Sequence, residues 1–156
     1  MNKEGLREIE RIIGSTVIFS SDGKILMGRK DPAKGGVYAD AWHLPGGGTE
    51  EGETPIQAAV RETNEEILGL NLTEADLVPL PSGDKHEAPK IQNGEKVWCK
   101  MTFHRFEVHL PQPASEYGYL QPGTDFVELG WFTETEQAAL KQAAGKTNVF
   151  KMTRKV

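Results

Sequence analysis

Residues 97–110 place the tightest constraint on the fold. Successive side chains of an extended chain point to opposite sides, so Val97, Cys99, Met101 and Phe103 share one face while Trp98, Lys100, Thr102, His104 and Phe106 share the other. Both faces carry apolar groups, which puts this strand in the interior of a sheet rather than at a solvated edge. Together with the helix signals described below, it predicts an α+β protein: a central mixed sheet with helices against its faces. A doubly wound parallel sheet fits less well, because two hairpin signals interrupt the chain.

The first hairpin signal is the β-branched stretch 13–19, followed by Ser21-Asp22-Gly23 and residues 24–27. Before it, the charged opening segment is compatible with a short helix. Residues 29–40 mix Gly, Pro, Asp and Lys without periodicity and read as a surface loop, leading to a short strand at 41–44 that Pro45 and the glycines at 46–48 end. A connection and short strand are expected over 71–80. The polar excursion 81–96 contains the second hairpin signal, Asn93-Gly94, and suits a substrate-facing arm. A strand is expected at 126–132, after which Thr133 and Glu136 form a capping box for a helix running through 144. No internal repeat or low-complexity segment is present.

With 156 residues, 37% apolar and 26% charged, the chain suits one globular domain over 1–156. The net charge of -5 disfavours long nucleic acid as a partner but leaves a small anionic substrate open. Cys99 is the sole cysteine, so an internal disulfide and a multi-cysteine zinc cluster are excluded, and it is expected as a buried thiol. His43, His86, His104 and His109 have no metal-ligand spacing. The opening residues lack a signal peptide's apolar run and no stretch is long enough to span a bilayer, so the expectation is a soluble cytoplasmic protein without a membrane partner.

Chemistry concentrates on one helix. Thr54 is its N-cap, Pro55 takes the first helical position and Gln57 completes a capping box, with Ile56, Ala59, Val60, Thr63 and Ile67 as the apolar stripe. Glu62, Glu65 and Glu66 stand at i, i+3 and i+4, which gathers three carboxylates on one side of the helix. Like charges so placed repel unless a cation sits among them, and hard oxygen donors suit Mg²⁺ or Mn²⁺. Glutamate is also a good helix former, so an acidic face alone is ordinary solvated surface. The glycines at 46–48 change the balance, because they permit a tight path that can turn a backbone carbonyl toward the same cation.

Gly47, Glu53 after five intervening residues, Arg61 after seven more, then Glu62, Glu65 and Glu66 resemble the signature of the Nudix (MutT-type) hydrolases, which here spans 47–70. The surrounding words LPGGG, EEGET and AAVRET, Trp42, and the run Glu128-Leu129-Gly130-Trp131-Phe132 are similar to the family as well. Two positions depart: Leu68 stands where the signature has glycine, with Gly69 one place later, and Thr63 replaces a larger apolar residue. The late glycine is expected to cap a helix that ends one residue further on.

The resemblance implies the α/β/α sandwich of the Nudix fold and an Mg²⁺-dependent hydrolase, with Mn²⁺ as an alternative ion, that cleaves a diphosphate bond in a nucleoside-containing substrate. It implies Glu62, Glu65, Glu66 and the Gly47 carbonyl as metal ligands, Arg61 as the partner of a glutamate, and Glu53 as a residue orienting the site. Glu62 is the first choice of general base, with Asp125, Glu128 and Glu116 as alternatives from loops; Asp125 stands six residues before Trp131. Arg29, with Lys30 and Lys34, is a candidate contact for outer phosphates, and Asp125 a candidate on the substrate side. Tyr38, Trp98, Phe103, Tyr117 and Tyr119 are candidates for base stacking. A nucleoside triphosphate or similar small nucleotide is favoured over a nucleotide sugar of the ADP-ribose type, and a non-catalytic nucleotide-binding module stays as an alternative; a homodimer is left open.

Overall fold

The computed structural model describes residues 2–34, 41–81 and 83–140. In chain order the strands and helices are β1 (Glu8–Phe19), β2 (Ile25–Lys30), β3 (Trp42–His43), β4 (Gly46–Gly48), α1 (Pro55–Glu66), β5 (Ile67–Leu68), β6 (Val78–Pro79), β7 (Lys85–Gln92), β8 (Glu95–His109), β9 (Gln121–Pro122), β10 (Phe126–Phe132) and α2 (Glu134–Ala138). The main sheet runs β10-β2-β1-β8-β6, with β3 on β2, β4 on β1 and β7 on β8. β8 is interior as its two apolar faces require, and it pairs parallel to β1 from Glu8↔Trp98 to Phe19↔His109 while β6 and β7 run antiparallel to it. The sheet is therefore mixed.

The opening segment is a strand, not the short helix its charges allowed. Exposure alternates from Glu8 to Ile12, and a parallel ladder with β8 along the whole of β1 satisfies backbone groups that a short isolated helix would leave frayed. The glycines do more than end β3. They form β4, antiparallel to β1 with Gly47 opposite Gly14 and Gly46 opposite Ser15.

Alternation along β1 feeds two cores. Ile18 joins Leu26, Ala59, Ile67, Phe106, Val108 and Leu120 on the α1 side. Val17 and Phe19 join Ile25, Met27 and Leu80 on the opposite side, where Leu140 after α2 packs with Trp42, Leu44 and Phe132. One helix per face gives an α/β/α sandwich. Trp42 and Trp131 are packing residues: Trp42 meets Phe132 edge-on with ring centroids 4.8 Å apart, and Trp131 lies 5.8 Å from Tyr117. Cys99 is buried.

Two contacts seat α1 on the sheet. Gly14 lets the helix approach so closely that a Cβ there would lie 2.1 Å from the Pro55 carbonyl oxygen. Thr16 and Thr63 share a buried hydroxyl hydrogen bond of 2.9 Å, which accounts for the threonine in place of a larger apolar residue. The Thr54–Gln57 capping box and Pro55 form as expected, as does the Thr133–Glu136 box of α2. The helix expected to reach 144 ends at Ala138, with Ala139 as its C-cap, and residues 141–144 lie outside the described residues, as does Tyr38. The 81–96 excursion is an arm in which β7 folds through Asn93-Gly94 onto β8.

β1 and β2 stay together only at their turn, Phe19↔Ile25. Beyond it they splay, β1 taking β4 as partner and β2 taking β3. The glycine strand and the C-terminal half of α1 meet at this opening.

Candidate functional site

Arg61 organises the site. Its guanidinium makes a forked pair with Glu53, Nε to Oε2 at 2.9 Å and Nη2 to Oε1 at 3.0 Å, while Nη1 donates to Glu62 Oε1 at 2.9 Å. Nη2 also donates to the Gly48 carbonyl at 3.2 Å, tying helix to glycine strand. Glu65 and Glu50 stand 3.6 and 3.7 Å from Nη1. One cation thus anchors an acidic neighbourhood that would otherwise repel itself. The Arg61 hydrogen bonds, with the Glu50 backbone N–H, hold the Glu53 carboxyl down at about 2.

The three glutamates do not share one environment. Glu65 is 48% exposed and Glu62 19% at the side chain, whereas Glu66 is 2% exposed as a residue and is buried on α1 as Ala58, Ala59 and Thr63 are. Glu66 Oε1 accepts the Gly46 N–H at 2.8 Å. Burial pushes its carboxyl up to about 8, against the pull of that N–H, with Glu62 and Asp125 adding negative charge and Lys30 opposing. Burial also raises Glu62, Arg61 opposing and Glu65 and Asp125 assisting.

Gly47 lies flat against Glu62: a Cβ on Gly47 would sit 2.5 Å from the Glu62 carboxyl carbon. Only glycine brings the backbone so near the carboxylate. Ser15, buried beside Gly46, has an unpaired hydroxyl.

Helix α1 ends at Glu66, earlier than the late glycine suggested. Its C-cap, Ile67, is extended and begins β5, which pairs with β9. Leu68 is 49% exposed on that strand, so the side chain is tolerated where the signature has glycine, and Gly69 (φ +100) turns the chain after β5 rather than capping the helix. Sequence reasoning missed the actual cap. Gly123 N–H donates to the Glu66 carbonyl at 2.8 Å and Thr124 N–H to the Glu65 carbonyl at 3.1 Å, and a Cβ on Gly123 would lie 2.0 Å from the Glu65 carbonyl oxygen. This docking brings Asp125, left-handed at φ 68, near enough for both Glu62 and Glu66 to feel its charge.

Residues 11–153 match the family model described as NUDIX domain. The chain belongs to the NUDIX domain family. It is 41% identical over 51 residues to an RNA pyrophosphohydrolase of Hydrogenovibrio crunogenus, a match spanning 33% of this chain and only 27% of that protein. A second RNA pyrophosphohydrolase, from Novosphingobium aromaticivorans, is 28% identical over 126 residues, 68% of this chain and 74% of that one. Among solved structures, the MutT protein of Methanosarcina mazei Go1 superposes with a TM-score of 0.63 over 97% of this chain and 100% of its own, at 18% identity. That likeness is one of fold.

The NUDIX signature residues Gly47, Glu53, Arg61, Glu62, Glu65 and Glu66 thus come together at the splay, although Glu65 is peripheral. Arg29 and Glu128 face each other across β2 and β10 and pair at 2.8 Å, so the two candidates hold one another. Glu116 lies in the turn Ala114–Tyr117. Among the described residues no three carboxylates are already gathered around one point, since Glu62 is drawn to Arg61 and Glu66 to Gly46. The donor set nevertheless fits a hard divalent cation: it is all oxygen, and it contains a buried carboxylate that one N–H and the charge of Lys30 leave undercompensated. No helix among the described residues is long and apolar enough to cross a membrane.

Proposed function

We propose that the chain, as one domain over 1–156, is a divalent-metal-dependent hydrolase that cleaves a diphosphate bond in a nucleotide, with Mg²⁺ as the ion and Mn²⁺ as its substitute. The observation that carries this is the seating of Glu62 against Gly47 and of Glu66 against Gly46, with Arg61 and Glu53 locking the helix to the glycine strand. Glu62, Glu65, Glu66 and the Gly47 carbonyl would hold the metal. When bound, the ion supplies neutralisation of the diphosphate oxygens and acidification of a bound water.

The protein's own groups do the rest. Arg61 restrains Glu62 and, through the Gly48 carbonyl, the backbone beside it, while Glu53 fixes the guanidinium plane. Burial raises the basicity of Glu62, which suits it to take a proton from the attacking water. Asp125 is the second choice of base, because the Gly123–Thr124 cap holds it within electrostatic reach of Glu62 and Glu66.

The family's alternative task, binding a nucleotide without hydrolysis, is disfavoured by the retention of all six signature side chains and backbone positions. The test is release of phosphate or pyrophosphate from nucleoside triphosphates, 5′-triphosphorylated RNA and ADP-ribose, with Mg²⁺, with Mn²⁺ and with chelator. Turnover is expected with either ion and none with chelator; Glu66→Gln and Glu62→Gln should each lower kcat by about 10²-fold or more, and Asp125→Asn by less. Metal-independent turnover, or full activity in both glutamate variants, would sink the assignment. A larger loss in Asp125→Asn than in Glu62→Gln would move the base to the loop.

A further inference from the structure

A buried polar row crosses the sheet on the face opposite α1. A Cβ on Gly14 would point at Pro55 of α1, so the next residue, Ser15, points to the other side. The parallel ladder sets Ser15 beside Arg105 and Ile13 beside Phe103 on that side, and the antiparallel pairing with β4 sets Ser15 beside Gly46. Gly46, Ser15 and Arg105 thus form one row across β4, β1 and β8. The row starts at the carboxylate site, since the Gly46 N–H is the donor to Glu66. Its far end lies two strand spacings away, about 10 Å.

Both side chains of the row are buried and short of partners. Ser15 is 6% exposed, and its hydroxyl has no hydrogen-bond partner. Arg105 is 5% exposed. Its Nη1 donates to Asp84 just before β7, and its guanidinium lies over the Phe103 ring, 4.9 Å from the centroid. Among the described residues the other guanidinium N–H groups have no hydrogen-bond partner. Buried donors are rarely left so, and two residues of this kind, side by side next to the carboxylate site, point to a ligand that completes them. The ion pair with Asp84 narrows its chemistry. Arg105 already has its counter-charge, so the row offers directed donors with little net charge, which suits the neutral acceptors of a base better than a phosphate. Ile13 and the half-buried Phe103 give the row an apolar flank. The guanidinium covers Phe103, so the planar group a base would meet here is Arg105.

We propose that this row holds the nucleoside of the substrate, Ser15 at the sugar and Arg105 at the base, and that Arg105 selects a 6-oxopurine, guanine or hypoxanthine, over adenine. This rests on the hydrolase assignment above and names its substrate class. A guanidinium edge matches the paired O6 and N7 acceptors of such a base. Adenine presents an amino donor in place of O6, and that donor would face the donors of Arg105. Two strand spacings between Gly46 and Arg105 leave room for one sugar between the diphosphate and the base. The nucleoside is that of a free nucleotide or the first of an RNA chain.

The test has a binding arm and a kinetic arm. Nucleoside monophosphates, which have no diphosphate bond to cut, are titrated calorimetrically into the full chain with Mg²⁺. Wild type should bind GMP and IMP alike, each about tenfold or more tighter than AMP, and 7-deaza-GMP, which lacks the N7 acceptor, several times more weakly than GMP. These comparisons change the ligand alone, so they hold even where a variant of buried Arg105 fails to fold. Arg105→Lys keeps a charge for Asp84 but loses the fork, and should bring the preference for GMP over AMP to about threefold or less. Ser15→Ala removes a hydroxyl that the fold leaves unpaired; it should unfold at the same denaturant concentration or a higher one, yet bind GMP and AMP equally more weakly, by about threefold or more. A merely structural Arg105 would leave the preference unmoved. Equal wild-type affinity for GMP and AMP overturns the proposal, as does a preference unchanged in Arg105→Lys or 7-deaza-GMP binding as GMP does. In the kinetic arm, kcat/KM for GTP over ATP, and for triphosphorylated RNA beginning with G over A, should follow the binding preference; the larger kcat/KM identifies the source. If GMP is preferred through Arg105 but neither GTP nor the RNA is hydrolysed, the base site stands and the hydrolase assignment falls. Hydrolysis of GTP and ATP at equal kcat/KM, with equal binding of GMP and AMP, does the reverse.

Discussion

Glu66→Gln should make the metal-free protein more stable at alkaline pH while removing its activity. The wild-type carboxyl titrates near 8 in the fold, against 4.5 ordinarily, because the residue is 2% exposed. The folded state therefore holds a proton that the unfolded state has released between those values, and stability falls as pH rises through this window. Below 4.5 both states are protonated and nothing is lost. Above 8 the full cost is present, about 5 kcal/mol at 1.36 kcal/mol per pH unit. Glutamine is neutral throughout and keeps an acceptor for the Gly46 N–H. Its buried amide donors lack partners, which costs about 1–3 kcal/mol at every pH.

The difference between the two proteins should therefore swing by about 4 kcal/mol between pH 5 and pH 8.5. The variant is equal or slightly weaker at the acid end and stronger by about 2–3 kcal/mol at the alkaline end. Guanidinium unfolding in chelator at both pH values measures it. If Glu66 holds the metal as proposed, adding Mg²⁺ at pH 8.5 should stabilise the wild type more than the variant, because only the ionised carboxylate can serve as a ligand. Parallel stability profiles for the two proteins from pH 5 to 8.5 would refute the argument, since they would mean that Glu66 ionises in the fold as easily as in water.

Three further outcomes test the frame around the site. Thr63→Val strands the Thr16 hydroxyl in the core and should cost about 1–3 kcal/mol by denaturant unfolding; Thr16→Val/Thr63→Val together should cost less than the two single changes added. Gly14→Ala puts a methyl into the Pro55 carbonyl and near the Ala59 N–H, both rigid backbone, so α1 must lift; about 1–3 kcal/mol of stability is expected to go with it, and kcat should fall more steeply than melting temperature, since small displacements of reacting groups cost about 10²-fold. Glu53, held at about 2 by Arg61, contributes stability that is present above the ordinary carboxylate pKa and lost as pH falls through about 2; Glu53→Gln should flatten the acid limb of the stability profile between those values and lower activity by about tenfold or more.

What the chain discloses locally is what local physics decides. The period-two faces of 97–110, the Thr54–Gln57 box and the strand at 126–132 each carry their signal within a dozen residues, and each forms where it should. The first turn of β1 does not, because alternating charged and apolar residues leave its backbone indifferent until β8, about ninety residues away, offers a ladder. The glycines of β4 have no side chains with which to announce a strand, and their extended path exists only because β1 lies opposite. The cap of α1 is equally non-local: Gly69 had the right residue type near the right place, yet the carbonyls of Glu65 and Glu66 are taken by Gly123 and Thr124.

The site repeats this division. Resemblance to the signature picks out Gly47, Glu53, Arg61, Glu62, Glu65 and Glu66 as candidates, but it treats the three helical glutamates as alike. Their chemistry separates only when the helix is laid on the sheet. Rotation places Glu66 beside Thr63 and against the core, Glu62 at the glycine strand and Glu65 toward solvent. Glu66 thereby becomes a carboxyl that resists ionising and Glu62 one of raised proton affinity, while Glu65 stays exposed. The seating that makes this difference depends on Gly14 and on the Thr16–Thr63 hydrogen bond, neither of which carries a charge. Acid–base character at the candidate site is therefore a property of helix docking as much as of the signature, which is why Gly14→Ala is expected to reach the chemistry from across the helix.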